Sequence, residues 1–500
     1  MKTTFLPPLA ALFLAGCAVG PNYKAPAPAT PADFSSWHGG APELLNGRNA
    51  AGAALPRLGW SIFGDPVLEQ LQARALTANA DVQTAALRFE QSRALRDAAA
   101  SQGMPQLGLS AGATRQRLSE TGVNTRLINA MVPAGNRNAA LQSQSTPFPL
   151  YQVGFDASWE LDLWGRVRRG VESAEADVAG AKALLAQVRL TVQSEVARNY
   201  FELRGTQRQI ALTRSDIAAA EETLELVSVR ASGGLVTDLD VTRQRAQLAE
   251  LRAQLPQLLA QEAQALNRIT LLLGETPGAL QTLLASGGTQ EPNAGSATLP
   301  DFSAGLPSEV ARRRSDIVQA EAKLHAATAN TGVAVADLYP RITIGAQFGL
   351  ESLSSNHLDA WGNRQWSIGP HIQLPIFDGG RRRATLTVRR LQQQEAAIAY
   401  QQTVLRAWHE IDDALSAYAA ERQRNVELAE KERASRDALA LARVHYEKGL
   451  TNFLVQLDAQ RTQLAAQRQR SDSDARLSLA LVAALKALGG PVPGRVSAKN

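Results

Sequence analysis

The chain has 500 residues, of which 45% are hydrophobic, 20% are charged and only 5% are aromatic. Its formal net charge of +5 is small for this length, and Lys and Arg alternate with Asp and Glu along the sequence, which argues against a nucleic-acid-binding surface. The single cysteine excludes an internal disulfide framework and a site with several cysteine ligands, and no apolar run reaches the roughly 18 residues that a membrane-spanning helix needs.

The first 16 residues have the form of a secretory signal, and the single cysteine follows them directly. Lys2 precedes an apolar stretch, and Leu14-Ala15-Gly16-Cys17 then resembles a bacterial lipobox. We therefore predict that residues 1–16 are a lipoprotein signal peptide and that Cys17 carries the covalent lipid (diacylglycerol and palmitate), with no other cofactor. Ala18 in place of Asp resembles lipoproteins of the outer membrane. An ordinary signal peptide with an incidental cysteine is the alternative.

Residues 17–55 are rich in proline, glycine and alanine and show neither a helical nor a strand period. Such a composition cannot build a packed core, because few of its side chains bury apolar surface. We predict an extended tether that runs from the lipid to the folded part of the chain.

The rest of the chain contains two copies of one unit of roughly 200 residues. Asp81-Val82 recurs 235 positions later as Asp316-Ile317, whereas Glu195-Val196 recurs 215 positions later as Glu410-Ile411. The offset changes once, because the first copy has a longer loop at about 118–148. The predicted repeats are 56–290 and 300–490.

Each copy is predicted to run as a helix, two strands, a long helix and a returning helix. The long helices follow from stretches without proline that end at glycine, and each is about 100 Å long at 1.5 Å per residue. Pro256 predicts a kink in the first returning helix. The predicted segments are 62–103, about 105–118, about 150–162, 166–231 and 235–273 in the first copy, and 307–338, about 340–352, about 365–377, 381–448 and 450–488 in the second.

The strand segments alternate apolar and polar residues over about ten positions, as from Val153 to Trp159. This period of two predicts strands with one apolar and one polar face, which also suits a membrane barrel with a wet interior. Four strands cannot close a barrel, and lipid does not tolerate an open edge. Membrane strands therefore require partners, and three chains would leave a lumen where two would not. A soluble sheet that caps the helices is the alternative.

Four longer motifs resemble one known family: CAVGPNY from Cys17, WELDLWGRVRR from Trp159, PIFDGGRRR from Pro375 and GLTNFLVQLDAQRTQL from Gly449. The chain resembles the outer membrane factor family, the TolC-like ducts, and their NodT/OprM-like lipoprotein branch in RND-type tripartite drug-efflux pumps. The resemblance implies a mainly α fold with a small transmembrane β-barrel. It also implies a homotrimer in which a 12-stranded barrel continues into a 12-helix periplasmic coiled-coil tunnel.

The function that this resemblance implies is a passive outer membrane channel, gated at its periplasmic end, that carries drugs and other small molecules out of the periplasm. The implied partners are a periplasmic membrane-fusion adaptor, an inner-membrane pump of the RND type and outer membrane lipid, with no nucleic acid. The implied location is the bacterial cell outer membrane, with a lipid anchor and a long periplasmic portion. Two alternatives stay open: the outer membrane duct of a type I protein secretion system, and a pore-free structural coiled-coil lipoprotein.

Leu454 and Asp458 are four residues apart just after Gly449, so they lie on one face of a helix. The resemblance implies that these positions form an apolar ring and an aspartate ring that close the periplasmic mouth. Three like charges repel one another unless they are hydrated or paired. At the offset of 215, the corresponding residues of the first copy are Leu239 and Arg243, and Arg243 could pair with Asp458.

The resemblance further implies a link between the two hairpins through Asp240 and Tyr446. Some relatives have a second aspartate one turn before the first, where this chain has Val455, so a double-aspartate gate is not expected.

No group of residues predicts catalysis or a metal centre. The six histidines are scattered, with no pair at helical i, i+4 spacing, and Trp408-His409-Glu410 lacks the second histidine of a zinc-protease motif. Asp412-Asp413 is interpreted as a solvated helix face. We therefore predict that the chain is not an enzyme.

Overall fold

The computed structural model describes residues 18–27, 30–31, 34, 36–45, 60–123, 125–285 and 307–490. The predicted signal peptide and Cys17 lie outside these residues. The chain divides into two compact units, each built from three separate stretches. Unit 1 comprises 1–25, 92–178 and 323–396, and unit 2 comprises 26–91, 179–322 and 397–500.

The described residues are mainly helical, with one small sheet. None of the helices in these residues is both long and apolar enough to cross a membrane. The α-helices are α1 (Pro66–Ala78), α2 (Ala80–Ser101), α3 (Thr125–Met131), α4 (Arg137–Gln144), α5 (Arg166–Ser232), α6 (Asp238–Leu272), α7 (Gln281–Leu284), α8 (Pro307–Arg313), α9 (Ser315–Ala336), α10 (Arg381–Glu447) and α11 (Phe453–Ala487), and the strands are β1 (Gln106–Gln116), β2 (Phe148–Glu160), β3 (Arg341–Ser352) and β4 (Arg364–Gln373).

The four strands and the two long helices begin and end within a few residues of their predicted positions. Helix α6 continues through Pro256, and the predicted kink stays a prediction. The returning helices begin at Asp238 and Phe453, three residues later than predicted, because Thr237 and Asn452 are their N-cap residues. The longer loop of the first copy contains the short helices α3 and α4.

The first helix of each copy is two helices rather than the single one that the sequence predicts. The breaks fall at Asn79 and Arg314, which are equivalent in the two copies and are both buried. Asn79 accepts hydrogen bonds from the backbone of α2 and donates one to the carbonyl of Leu272 at 2.9 Å. Arg314 donates to the carbonyl of Ala487 at 2.9 Å. Each of the two side chains is thus bound to the end of a returning helix, and Asn79 also caps the start of α2.

The predicted tether is not free over its described part. Residues 18–27 form neither helix nor strand, but the backbone N–H of Val19 donates to the carbonyl of Trp164 at 3.1 Å within unit 1. In unit 2, His38 lies 2.8 Å from a carboxylate oxygen of Asp412. These parts of the tether are therefore bound to helices and to the residues that precede them.

The sheet in unit 1 is an antiparallel meander in the order β1-β2-β3-β4. Its register places the apolar positions of all four strands on one face. Leu109 pairs with Phe155, Phe155 with Phe348, and Phe348 with Trp366. The opposite face carries the polar and glycine positions, so the alternation seen in each strand becomes a property of the whole sheet.

The largest core of the described chain lies in unit 2, where helices from both copies pack. Tyr200 of α5 is 1% exposed, and its hydroxyl donates to Asp65 at 2.5 Å. The other carboxylate oxygen of Asp65 accepts the backbone N–H groups of Val67 and Leu68 at the start of α1. One buried phenol therefore fixes the cap that begins the first helix.

We expect Tyr200→Phe to lower the free energy of unfolding by about 1–2 kcal/mol, because Asp65 and Arg204 lose a hydrogen-bond partner. Burial and the bond to Asp65 raise the pKa of Tyr200 from 10.0 to about 12. The neutral hydroxyl thus contributes stability that is complete below about pH 10 and is lost as the pH rises towards 12. Thermal unfolding followed by circular dichroism should show a smaller alkaline loss in Tyr200→Phe than in the unsubstituted chain.

The matched control is Tyr400→Phe, since Tyr400 is buried in the same core and its hydroxyl makes no hydrogen bond within the described residues. Equal destabilisation by the two substitutions would contradict a specific role for the contact with Asp65.

Candidate functional site

The two long helices each turn back through a glycine with positive φ, and both turns lie in unit 2. Gly234 has φ 74° and Gly449 has φ 71°. At the first turn the N–H of Leu235 donates to the carbonyl of Arg230, and at the second that of Leu450 donates to His445. This pattern is a Schellman motif, which a residue with a Cβ would strain at the glycine position. We call the two turns, with the helix ends around them, the hairpin tips.

Side chains fix where each returning helix begins. Thr237 donates from its backbone N–H and from its hydroxyl to the carboxylate of Asp240, at 3.2 and 2.9 Å. Asn452 accepts the N–H of Val455 at 3.2 Å. The first residues of α6 and α11 are therefore held in defined positions, and so are the side chains that they carry.

A small apolar cluster joins the two hairpin tips. Tyr446 packs on Phe453 with ring centroids 5.7 Å apart, and the guanidinium of Arg230 lies 4.8 Å from the centre of the Tyr446 ring. A cation over an aromatic face in this range is stabilising. The tip cluster consists of Val227, Val241, Tyr446, Phe453 and Leu457, all of them buried.

The predicted gate residues lie on the outward face of the same helices. Phe453 and Leu457 point into the tip cluster, whereas Leu454 and Asp458, one position further along, are exposed. Leu454 is 46% exposed and Leu239, its counterpart in the first copy, is 56% exposed. The first turn of each returning helix thus has an inner face, which holds the tips together, and an outer face, which is exposed in the single chain.

The structure does not form the two predicted side-chain pairs within one chain. Arg243 lies 3.9 Å from Asp240, and Asp458 has no hydrogen bond or ion pair within the described residues. Asp240 is bound to Thr237 instead of Tyr446. The hydroxyl of Tyr446 is buried without a hydrogen-bond partner in the described chain. A pair between Arg243 and Asp458 of different chains stays a prediction.

Sequence reasoning missed Arg230, Phe453 and Leu457. The spacing of Phe453 and Leu457, four residues apart at the start of a helix, was the available signal for a buried face. Arg230 gave no local signal, because its aromatic partner is more than 200 positions away in the sequence.

The tips offer no arrangement for covalent chemistry. Tyr446 is buried in the tip cluster, and Asp240, a carboxylate beside a hydroxyl, accepts the Thr237 hydroxyl as part of the cap that begins α6. Within the described ranges, no group of three or more His, Cys, Asp or Glu side chains could hold a metal ion. The interpretation of Asp412-Asp413 as a solvated face agrees with Asp413, which is exposed. It was wrong for Asp412, because its carboxylate contacts His38 and is only 23% exposed.

A family model described as outer membrane efflux protein matches residues 71–275 and 306–490. Each of the two matched segments lies inside one of the predicted repeats. A solved structure of the outer-membrane channel OprN has the same fold, with a TM-score of 0.81 and 32% identity over 95% of this chain and 99% of that one.

Two relatives match over nearly their whole length. The outer membrane protein OprJ of Pseudomonas aeruginosa is 34% identical over 484 residues, which are 96% of this chain and 94% of OprJ. The toluene efflux pump outer membrane protein TtgF of Pseudomonas putida is 32% identical over 495 residues, 98% of this chain and 97% of TtgF. The chain therefore belongs to the outer membrane efflux protein family, and it is a channel protein of the bacterial outer membrane, not an enzyme.

Proposed function

We propose that three copies of this chain form a passive duct for small molecules, gated at its periplasmic mouth by the hairpin tips. A periplasmic adaptor and an inner-membrane pump of the RND type would load the duct, and a lipid on Cys17 would anchor it. The observation that carries the proposal is the four-stranded sheet, which has one continuous apolar face and two unpaired edges.

The apolar face of the sheet suits lipid. Its strands are 10 to 13 residues long, which matches the roughly 9–11 residues that a tilted strand needs to cross a bilayer. Large apolar side chains on this face are open to solvent in the single chain, among them Leu107, Phe348 and Trp366. A soluble sheet would cover such residues with another layer.

The opposite face suits a wet lumen. Asp156, Gln152 and Glu351 lie on it, and the last two are hydrogen bonded at 2.6 Å. Charged and amide side chains in the middle of membrane strands are stable only where they meet water.

The unpaired edges of β1 and β4 require the partner copies. In lipid each unpaired backbone N–H or C=O costs several kcal/mol, so a four-stranded sheet cannot stand alone there. If β4 of each chain pairs with β1 of the next, three chains close a ring of twelve strands, and a ring of that size leaves a lumen.

The gate would act through the outward face of the tips. Three copies of Leu454 would form an apolar constriction, and three copies of Asp458 would form a ring of negative charge beside it. Arg243 is half-exposed, and within the described residues its single ion pair is the long one of 3.9 Å with Asp240, so it would be available to a neighbouring Asp458. A hydrated ion pair of this kind is worth about 1 kcal/mol or less, so a partner that prefers the open state can overcome the closed one.

The proposed cargo is small molecules. TtgF is named for an efflux pump that acts on toluene, and a passive lumen takes its cargo from the pump. The adaptor and the pump are proposed for the same reason, because TtgF is named as the outer membrane protein of an efflux pump.

We expect the purified protein to be a trimer in mild detergent and to form channels in planar bilayers. Native mass spectrometry gives the number of chains, and single-channel recording gives the conductance of the same sample. A monomer or dimer would contradict the closed ring, and a trimer without conductance would favour a pore-free coiled-coil lipoprotein.

Replacing both gate rings, by Leu454→Ala with Asp458→Ala, should raise the resting conductance several-fold without changing the trimer. Both side chains are exposed in the single chain, so their removal leaves the tip cluster intact. Arg243→Gln should loosen closure to a smaller degree, and its effect should shrink as salt screens the charges.

The matched control is Val426→Ala with Glu430→Ala, an exposed apolar and acidic pair at the same spacing on α10. If the gate variant conducts no better than this control, the mouth closes at other residues.

Replacing Cys17 with Ser should abolish acylation, because only a thiol at that position accepts the first lipid. Metabolic labelling with palmitate should mark the unsubstituted chain and leave Cys17→Ser unlabelled. Label retained on the Cys17→Ser chain would overturn the lipid anchor, whereas the trimer and its conductance would stand independently.

A further inference from the structure

The residues that directly follow Cys17 occupy a fitted groove in unit 1. The groove lies between the first turns of α5 and the second half of α9. Its occupants are residues 18–23, which we call the N-terminal latch. The latch is fixed at its start by the bond from the N–H of Val19 to the carbonyl of Trp164.

Glycines on both sides allow the latch and the groove to approach closely. Gly20 has φ 93°, and a Cβ there would lie only 2.7 Å from the Cα of Gly332 in α9. A Cβ on Gly165, whose φ is 80°, would lie 2.7 Å from the Cβ of Ala18. Such distances do not occur between real side chains, so these contacts require glycine.

Polar and aromatic contacts hold the other end of the latch. The guanidinium of Arg169, 5% exposed, donates to the side-chain oxygen of Asn22 and to Glu172. The ring of Tyr23 stacks on His325 at 4.0 Å with an interplanar angle of 14°, and His325 in turn lies 3.0 Å from Glu172. Burial raises the pKa of Glu172, but the bonds from Arg169 and His325 outweigh it and hold that pKa below its ordinary value.

The internal repeat supplies a comparison, because the groove pairs α5 of the first copy with α9 of the second, and the equivalent helices α10 and α2 bind no latch within the described residues. At the offset of 235, Gly332 corresponds to Asp97; at the offset of 215, Arg169 corresponds to Ala384. The first copy therefore lacks the close-approach glycine, and the second lacks the buried arginine. Two groove residues therefore depart from the repeat where the latch makes its contacts, whereas Gly165 is retained in the repeat as Gly380.

We propose that the N-terminal latch seats the acylated terminus of the mature chain in this groove, so that the lipid anchor is held beside the connection between β2 and α5. The inference rests on the proposed lipid at Cys17. Ala18 lies against Gly165 just before α5, and a lipid on Cys17 would be tied to Ala18 by a single peptide bond. The acyl chains then enter the bilayer next to the sheet, with little of the freedom that a loose tether of this composition would have.

Proteolysis at Lys24 tests the latch, because this exposed lysine follows it directly. Lysyl endopeptidase must bind an extended segment, and it can do so only when the latch opens. We expect slow cleavage after Lys24 in the purified, palmitate-labelled protein in vesicles. Gly20→Val, which forces a Cβ against the backbone of Gly332, should be cut at least about tenfold faster, since cleavage follows the opened population. His325→Ala should also be cut faster.

The matched control is Asp97→Ala, the position equivalent to Gly332 in the first copy, which should be cut at the rate of the unsubstituted chain. Mass spectrometry of the fragments identifies the cut, and the labelled fragment reports whether Cys17 is acylated. If Lys24 is cut equally fast in the unsubstituted chain and in Gly20→Val, the latch is overturned. Absence of label with slow cleavage overturns the lipid anchor and retains the docking of residues 18–23.

The position of the lipid is tested with a photoactivatable palmitate analogue on the same proteins. We expect its cross-links to concentrate in the peptides that contain β2 and the start of α5, and to spread in Gly20→Val. Cross-links distributed alike in both proteins would overturn the seating of the anchor beside the sheet.

Discussion

The unpaired backbone groups along β1 and β4 are the constraint on which the proposed assembly depends. A four-stranded meander leaves one open edge on each side, and its apolar face is suited to a solvent that cannot satisfy those edges. The apolar face is stable in lipid, but the unpaired edges are stable there only if they pair with further strands. Pairing with further copies of the same sheet meets both demands at once, because a closed ring has no edge.

The internal duplication gives two similar hairpins and two similar strand pairs, and the functional asymmetry lies in the residues that break the similarity. At the tips, Asp458 of the second copy and Arg243 of the first occupy equivalent positions of the repeat. The two copies therefore carry opposite charges there. In unit 1, Gly332 leaves room for the N-terminal latch. The equivalent residue of the first copy is Asp97, and a side chain of that size at position 332 would exclude the latch. Duplication thus supplies the scaffold, and single differences between the copies would give the proposed gate its opposite charges and the proposed groove its single docking position.

Much of the fold could be predicted because it follows from periodicity within single segments. The strands alternate with period two, and the long helices lack proline over more than 60 residues. The break at Arg314 could not be predicted, because arginine is not a preferred cap residue and its side chain bonds to a carbonyl far away in the sequence. Asn79 differs, because asparagine is a preferred N-cap residue and its side chain caps the start of α2 locally. The residues of the candidate site divide in the same way between those with a local sequence signal and those that depend on distant contacts. The exposed positions of Leu454 and Asp458 follow from helical spacing, whereas the stacking of Arg230 on Tyr446 and the docking of residues 18–23 depend on contacts between distant segments.

The tips have a buried inner face, which holds them together within the chain, and an exposed outer face, whose proposed contacts between chains are weak. The proposed gate requires this division. Within the chain, Phe453, Leu457 and Tyr446 are buried together with residues of the first hairpin, and the starts of both returning helices are capped, so the two tips are held to each other. Between chains, the proposed contacts are a few half-exposed leucines and hydrated ion pairs, each worth about 1 kcal/mol or less. A partner therefore needs to supply only a few kcal/mol of preferential binding to shift the population from closed to open. The hairpins would remain folded during opening, because the contacts that yield are not the ones that hold each tip together.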